Sequence, residues 1–196
     1  MDVLEAVRNR RSVRKFADAP VSREDLRKVL EAAQWAPSWV NVQPWRIVLV
    51  EDPQRKEALR QTLLPGNPAA KGITQAPVLL VLIAARGKSG LYGDTLSTDK
   101  GDWYMFDSGI AAQNIALAAH ALGLGTVHVG AIDHGKAAQV LGVPPGFEVI
   151  EILPLGRPAF EPKAPPRKPL QDFVTWETFD GDRWPAEPAA DPSAGP

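Results

Sequence analysis

The chain has 196 residues, with 22 Lys and Arg against 23 Asp and Glu and a formal net charge of −1. That length suits one well-buried domain, and the near-neutral balance argues against bulk nucleic-acid binding, which needs many phosphate contacts. The absence of cysteine excludes disulfides, thiolate metal sites and cysteine nucleophiles.

The start, Met1-Asp2-Val3-Leu4-Glu5, lacks the apolar core of a secretory signal. Val3, Leu4 and Val7 stand at helical spacing and predict a short amphipathic helix over 2–9. It leads into Arg10-Arg11-Ser12-Val13-Arg14-Lys15-Phe16. With Arg8, this stretch puts five cationic side chains within eight residues, which on a neutral background points to one small anion rather than a broad electrostatic surface. If residues 10–14 are extended, Arg10, Ser12 and Arg14 share one face, with Arg11 and Val13 on the other. Two guanidinium forks and a hydroxyl suit the oxygens of a phosphate monoester. A basic run taken alone is more often a solvated face or a nucleic-acid patch.

Pro20 and Ser22 open a second helix, with Ser22 and Asp25 resembling a capping box and Leu26, Val29, Leu30 and Ala33 as its apolar stripe. It ends before Pro37. Pro37-Ser38-Trp39-Val40-Asn41-Val42-Gln43-Pro44-Trp45 then combines two rigid prolines, two tryptophans and two amides. Amides beside aromatics suit the edge of a flat heterocycle, whereas a rigid loop with Trp45 in the core explains the same composition without a ligand.

Arg46 to Val50 reads as a strand, 53–64 as a helix opening at Pro53, and 65–72 as a loop. The most apolar strand, Val78 to Ala85, belongs at the centre of a sheet, and the run Ala76 to Ala85 is too short to cross a bilayer. Residues 86–101 read as a surface loop. From Asp102 to Leu122 runs the longest helix, apolar on nearly every side, as expected of a buried central or subunit-interface helix; Gly123 supplies its left-handed cap. Thr126 to Gly130 reads as a strand, Asp133 caps a helix that stops at Gly142, and Phe147 to Leu155 is a further strand. Nine of the 19 prolines lie from Gly156 onward. Phe173, Val174, Trp176, Phe179 and Trp184 are too apolar to stand in water, so this Pro-rich stretch reads as an arm packed on another surface. Disorder is expected beyond Pro185. The domain division is therefore a single domain over 1–184 and a tail over 185–196.

Gly123-Leu-Gly125-Thr-Val-His128-Val-Gly130 is not a dinucleotide fingerprint. The third glycine position holds His128, and the segment follows a helix and precedes a strand, the reverse of what the fingerprint requires. His120, His128 and His134 are not at metal-ligand spacing. No Gly-x-Ser-x-Gly elbow is present, and Asp and Glu are scattered without an evident acid/base pair. Anchors for a phosphate and a ring without a nucleophile or base point to a bound organic cofactor as the chemical agent.

Arg10 to Phe16 followed by Pro37 to Trp45 resembles the nitroreductase family of FMN-dependent flavoproteins. The likeness continues through Asp107-Ser-Gly-Ile-Ala-Ala-Gln113-Asn114, Gly123-Leu-Gly125-Thr126, Leu155-Gly156-Arg157-Pro158 and Arg167-Lys168-Pro169-Leu170, and so covers about residues 2–175. It implies an α+β fold, with a mostly antiparallel central sheet flanked by helices. It also implies an intertwined homodimer with an extended C-terminal arm and two FMN sites at the interface. On that resemblance Arg10, Ser12 and Arg14 contact the phosphate and ribityl side, with Arg11 nearby, and Arg167 grips the phosphate. Pro37, Ser38, Trp39 and Asn41 approach the flavin from the other subunit, supported by Gln43. The backbone of His128, Val129 and Gly130 faces the ring, and Asn67 and Lys71 stand for ring-edge residues. Trp39 departs from the small residue of many relatives, and Pro165 from a frequent second basic residue. The implied activity is cytoplasmic hydride transfer from NADH or NADPH, through the flavin, to a small electron-poor acceptor such as a nitroaromatic or quinone. The alternatives are a flavin-binding or sensing protein without turnover, or another reaction on the same fold, such as dehalogenation or flavin fragmentation. Neither nucleic acid nor membrane is implied as a partner.

Overall fold

The computed structural model describes residues 1–185, so the tail expected to be disordered lies outside the described residues. They form two compact units, Met1–Pro162 and a second that begins at Lys163.

The first unit is built on a four-stranded sheet in the order β1-β2-β6-β5, every neighbouring pair antiparallel. β2 (Val78–Ala85) is the most apolar strand and is central, pairing with β1 (Trp45–Val50) on one side and β6 (Phe147–Gly156) on the other. Alternation along β2 splits the core. Val78, Leu80, Leu82 and Ala84 pack with α2 (Arg23–Gln34) and α5 (Tyr104–Ala121). Leu79, Val81 and Ile83 face a second layer that includes α3 (Pro53–Arg60), α4 (Ala70–Gln75) and α6 (His134–Leu141). A strand buried on both faces reads as one continuous apolar run for this reason.

Helix ends follow local chemistry. Ser22 Oγ accepts from the Asp25 N–H at 2.9 Å and Asp133 Oδ1 from Lys136 N–H at 3.0 Å. Gly123 and Gly142 take the left-handed conformation, with φ of 72° and 66°. α1 (Val3–Asn9) forms as its spacing predicts, but Val3, Leu4 and Val7 are exposed.

Five elements differ from the expectations. α5 buries Asp107, Ser108, Ala111, Ala112, Ile115, Ala116 and Ala119, while Met105, Phe106, Gly109 and Ala121 face outward; a single chain has only one sheet face to offer it. The expected 65–72 loop gives way to α4 from Ala70, because Ile73 finds a fully buried seat. Within 86–101, β3 (Leu91–Tyr92) and β4 (Thr95–Leu96) form a small hairpin. β5 is only Gly125–Thr126, followed by a single bridge at Val129 to Ile152. The register between them sets Val127 against Pro154, which has no N–H to give to a ladder.

In the second unit, Trp176 and Trp184 stack at 5.4 Å, and Thr175 bridges Arg183. Phe173, Trp176 and Phe179 are exposed.

Candidate functional site

The arginine stretch is extended from Ser12 to Phe16 and is stitched to the sheet at both ends. Val13 N–H donates to Thr126 O at 2.9 Å, Ala159 N–H to Lys15 O at 3.1 Å, and Ala17 N–H to Arg157 O at 2.9 Å. Val13 and Phe16 are the buried anchors. Two glycines make room. A Cβ on Gly125 would lie 2.4 Å from Val13 Cγ2, and one on Gly72 would lie 2.8 Å from Arg14 O. The segment thus rests between β5 and α4, with Arg14 and Lys15 exposed and Arg10, Arg11 and Ser12 half-buried.

Arg11 serves its own backbone, its Nη1 donating to Arg8 O at 2.6 Å and Arg10 O at 2.9 Å. Among the described residues Arg14 forms no ion pair and the Ser12 hydroxyl no hydrogen bond. An exposed guanidinium without a carboxylate, beside a hydroxyl on a pinned backbone, fits a phosphate monoester in charge and in donor type.

The chain next brings in 127–131. Val129 exchanges both backbone hydrogen bonds with Ile152, at 3.1 Å each. Gly130 is exposed, open space lies where its Cβ would stand, and its N–H has no acceptor among the described residues. Ala131 O accepts from Leu64 N–H at 3.0 Å and from Asn67 Nδ2 at 3.2 Å. Asn67 Oδ1 in turn accepts from Ala69 N–H at 2.9 Å. Asn67 is therefore held beside Gly130, and Lys71 precedes the Gly72 that touches Arg14. One edge of the sheet gathers a strand with an exposed, unpaired Arg14, an open backbone N–H and an amide.

The Pro37–Gln43 loop is held elsewhere. Val40, Asn41 and Gln43 all have positive φ, of 42°, 56° and 47°; for Val40, a β-branched residue, that is a strained conformation. Ser38 Oγ accepts from Gln43 N–H, and Gln43 Nε2 donates to Asn41 Oδ1, both at 2.9 Å. Trp39 lies 5.9 Å from the Tyr92 ring and 5.8 Å from Trp103. Trp45 at the start of β1 pairs with Ala84, and Ala84 with Glu148, whereas Thr126 pairs with Leu155. Loop and arginine stretch thus occupy diagonally opposite corners of the sheet, about three strand spacings and seven residues apart, roughly 25 Å. A single chain does not bring them together. Arg167 is exposed in the second unit.

Two features escaped the sequence. His128 Nδ1 lies 3.0 and 3.2 Å from the two oxygens of Glu151, a contact between two ionisable groups that spacing did not pair. The trace in the sequence was a carboxylate in the middle of the otherwise apolar run Val149 to Leu155. Near the arginines, burial pushes the His120 imidazole below its ordinary range, and Arg10 and Arg11 push it further the same way. Among the described residues no cluster of three metal-ligating side chains occurs, and no helix is long and apolar enough to cross a membrane.

A family model described as the nitroreductase family matches residues 7–157. The chain is 32% identical to an NADH dehydrogenase of Thermus thermophilus, over 90% of this chain and 96% of that protein. It is 31% identical to an FMN reductase [NAD(P)H] of Bacillus subtilis, over 91% of this chain and 74% of that protein. A solved FMN-dependent nitroreductase of Clostridium difficile superposes with a TM-score of 0.76 at 28% identity, covering 90% of this chain and all of that one. A three-layer antiparallel architecture, an anion-ready strand on the sheet edge and these likenesses converge: the chain belongs to the nitroreductase family.

Proposed function

We propose that this chain is an FMN-dependent oxidoreductase that takes hydride from NADH or NADPH and reduces a small electron-poor acceptor, such as a nitroaromatic or quinone. The observation that carries the reading is the uncompensated cationic face of Ser12 and Arg14, pinned on β5 four residues ahead of the open Gly130 N–H. Flavin-reducing and nitroreductase relatives support it. Bound FMN supplies the redox chemistry, accepting hydride from the nicotinamide and passing it on. The chain's own part is to bind and orient. Arg10, Ser12 and Arg14 hold the phosphate. The Gly130 N–H offers a preorganised donor to charge that develops on the ring, while Asn67 keeps the 128–131 segment in place.

The working unit in this reading is a homodimer. The diagonal separation of the two predicted half-sites supports it, since Pro37, Ser38, Trp39 and Asn41 reach a flavin only across to a second copy. The outward apolar residues of α1 and α5, Val3, Leu4, Val7, Met105 and Phe106, are the kind of surface that a symmetric partner covers.

Purified protein, reconstituted with FMN, should be yellow, release FMN on denaturation and bleach anaerobically with NADH or NADPH. Arg14→Ala should weaken FMN binding about tenfold or more through loss of charge-assisted hydrogen bonds. Protein that stays colourless in excess FMN overturns the reading. Yellow protein that neither nicotinamide bleaches would leave a flavin-binding protein and not a reductase.

A further inference from the structure

Glu151 is out of place in its strand by the rules that build the rest of the fold. It is the one charged residue between Val149 and Leu155, a run otherwise buried and apolar, and it is itself only 8% exposed. Burying a carboxylate in such a strand costs stability unless a partner compensates, and a leucine there would extend the core. Its placement follows from two backbone features. Leu80 pairs with Leu153 and Leu82 with Glu151 in unbroken register, so alternation sets Glu151 on the same strand face as Leu153; the register shift that leaves Ile150 unmatched begins only beyond it. The Val129–Ile152 bridge then sets Gly130 against Glu151 and His128 against Leu153. His128 and Glu151 become diagonal neighbours on one face, on the opposite side from buried Val127 and Val129.

The pair has an inner and an outer end. The Glu151 side chain is 11% exposed and the His128 side chain 35%. With Nδ1 facing the carboxylate, the outward atom is Nε2, which makes no hydrogen bond among the described residues. A carboxylate at one ring nitrogen fixes the tautomer and orientation of the other. Most other ionisable groups on the surrounding elements are engaged elsewhere, while His120 on α5 keeps an Nε2 without a partner among the described residues. On β6, Glu148 takes the Tyr104 hydroxyl at 2.9 Å and Arg86 at 3.8 Å. On α5, Asp107 holds Ser89 and Trp39. On α6, His134 Nδ1 is 2.8 Å from Val149 O, and Lys136 pairs with Asp133.

We propose that His128 and Glu151 form the proton-handling pair of this site, with Glu151 positioning His128 so that Nε2 serves the reacting acceptor. The proposal rests on the FMN oxidoreductase reading. Reduction of a quinone by NAD(P)H moves one hydride from the nicotinamide and takes up one proton. In the proposed step the Nε2–H bond of the imidazolium breaks, an O–H bond forms on the acceptor, Glu151 stays ionised, and water restores the proton to His128.

Two measurements test it. In flavin-free protein, nitrogen-15 NMR of the three histidines should show neutral His128 with its proton on Nδ1. Glu151→Leu should abolish that preference while leaving the melting temperature equal or higher, where a merely structural Glu151 would lower it. In FMN-loaded protein, anaerobic stopped flow follows NADH oxidation and quinone reduction separately. His128→Gln and Glu151→Leu should slow the quinone half-reaction at least tenfold more than the NADH half-reaction and flatten its pH profile. Both variants matching the wild type in that ratio and profile would overturn the pair while leaving the oxidoreductase reading intact. Wild-type protein that binds no FMN would remove both.

Discussion

Asp107 and Trp39 are joined across 68 positions of sequence. Both carboxylate oxygens of Asp107 accept the Trp39 backbone N–H, at 3.3 and 3.2 Å, and Oδ2 also accepts the Ser89 hydroxyl at 2.5 Å. The carboxylate, 2% exposed at the start of α5, thereby fastens the 37–43 loop and the segment before the β3–β4 hairpin to one helix. Asp107→Ala strands the buried Ser89 hydroxyl and the half-buried Trp39 N–H and should cost about 2 to 3 kcal/mol, read as a lower urea midpoint at unchanged m-value. Asp107→Asn keeps one acceptor and should cost less.

Val40 stores strain in that same loop. Val40→Gly should stabilise the flavin-free protein by about 0.5 to 1 kcal/mol, because relief of a left-handed β-branched residue outweighs the added chain entropy of glycine. FMN binding should weaken at the same time, since a loop less fixed in its bound shape must be ordered by the ligand. Calorimetric melting and flavin titration read the two effects separately. A variant that loses stability would show that the loop is not strained.

Gly125→Ala drives a methyl into Val13 and so lifts the arginine segment off β5. Overpacking of this kind should cost about 1 to 3 kcal/mol and weaken FMN binding in parallel. Adding Val13→Ala to it should recover part of both losses, a coupling that a double-mutant cycle on urea stability measures. Strict additivity would place the clash elsewhere.

His120 predicts a loss of stability in mild acid. Its ring, half-buried on α5 with a buried Nε2 lacking a partner among the described residues, is held below the ordinary histidine range by burial first and then by Arg10 and Arg11. The unfolded chain therefore binds the proton more readily than the folded one, and stability rises with pH across that window. The contribution should be complete above about pH 6.5 and fall as pH drops through the unfolded value. His120→Gln should flatten the dependence of the urea midpoint between pH 5 and 7, and an unchanged slope would contradict the assignment.

Local chemistry wrote much of this fold in plain view. The Ser22 and Asp133 caps, the left-handed glycines at 123 and 142, the doubly buried β2 and the extended arginine strand with Val13 turned inward all rest on short-range rules. What stayed hidden depends on distant partners. Asp107 reads as an ordinary first-turn acid until Trp39 arrives, and Glu151 as an anomaly until the Val129 bridge brings His128 to its face. The shortness of β5 could not be seen without knowing that Pro154 stands opposite Val127. Alternation set Arg11 on the face opposite Arg10, Ser12 and Arg14, but spacing could not show the carbonyls of Arg8 and Arg10 that its Nη1 serves.

In the proposed homodimer, the diagonal placement of strand and loop sets the terms of a mixing experiment. A polypeptide crippled at Arg14 still carries a sound loop, and one crippled at Asn41 still carries a sound strand. Denatured together in equal amounts and refolded, two inactive preparations should regain flavin in about one site of four, since half of the random pairs are mixed and each mixed pair assembles one undamaged site.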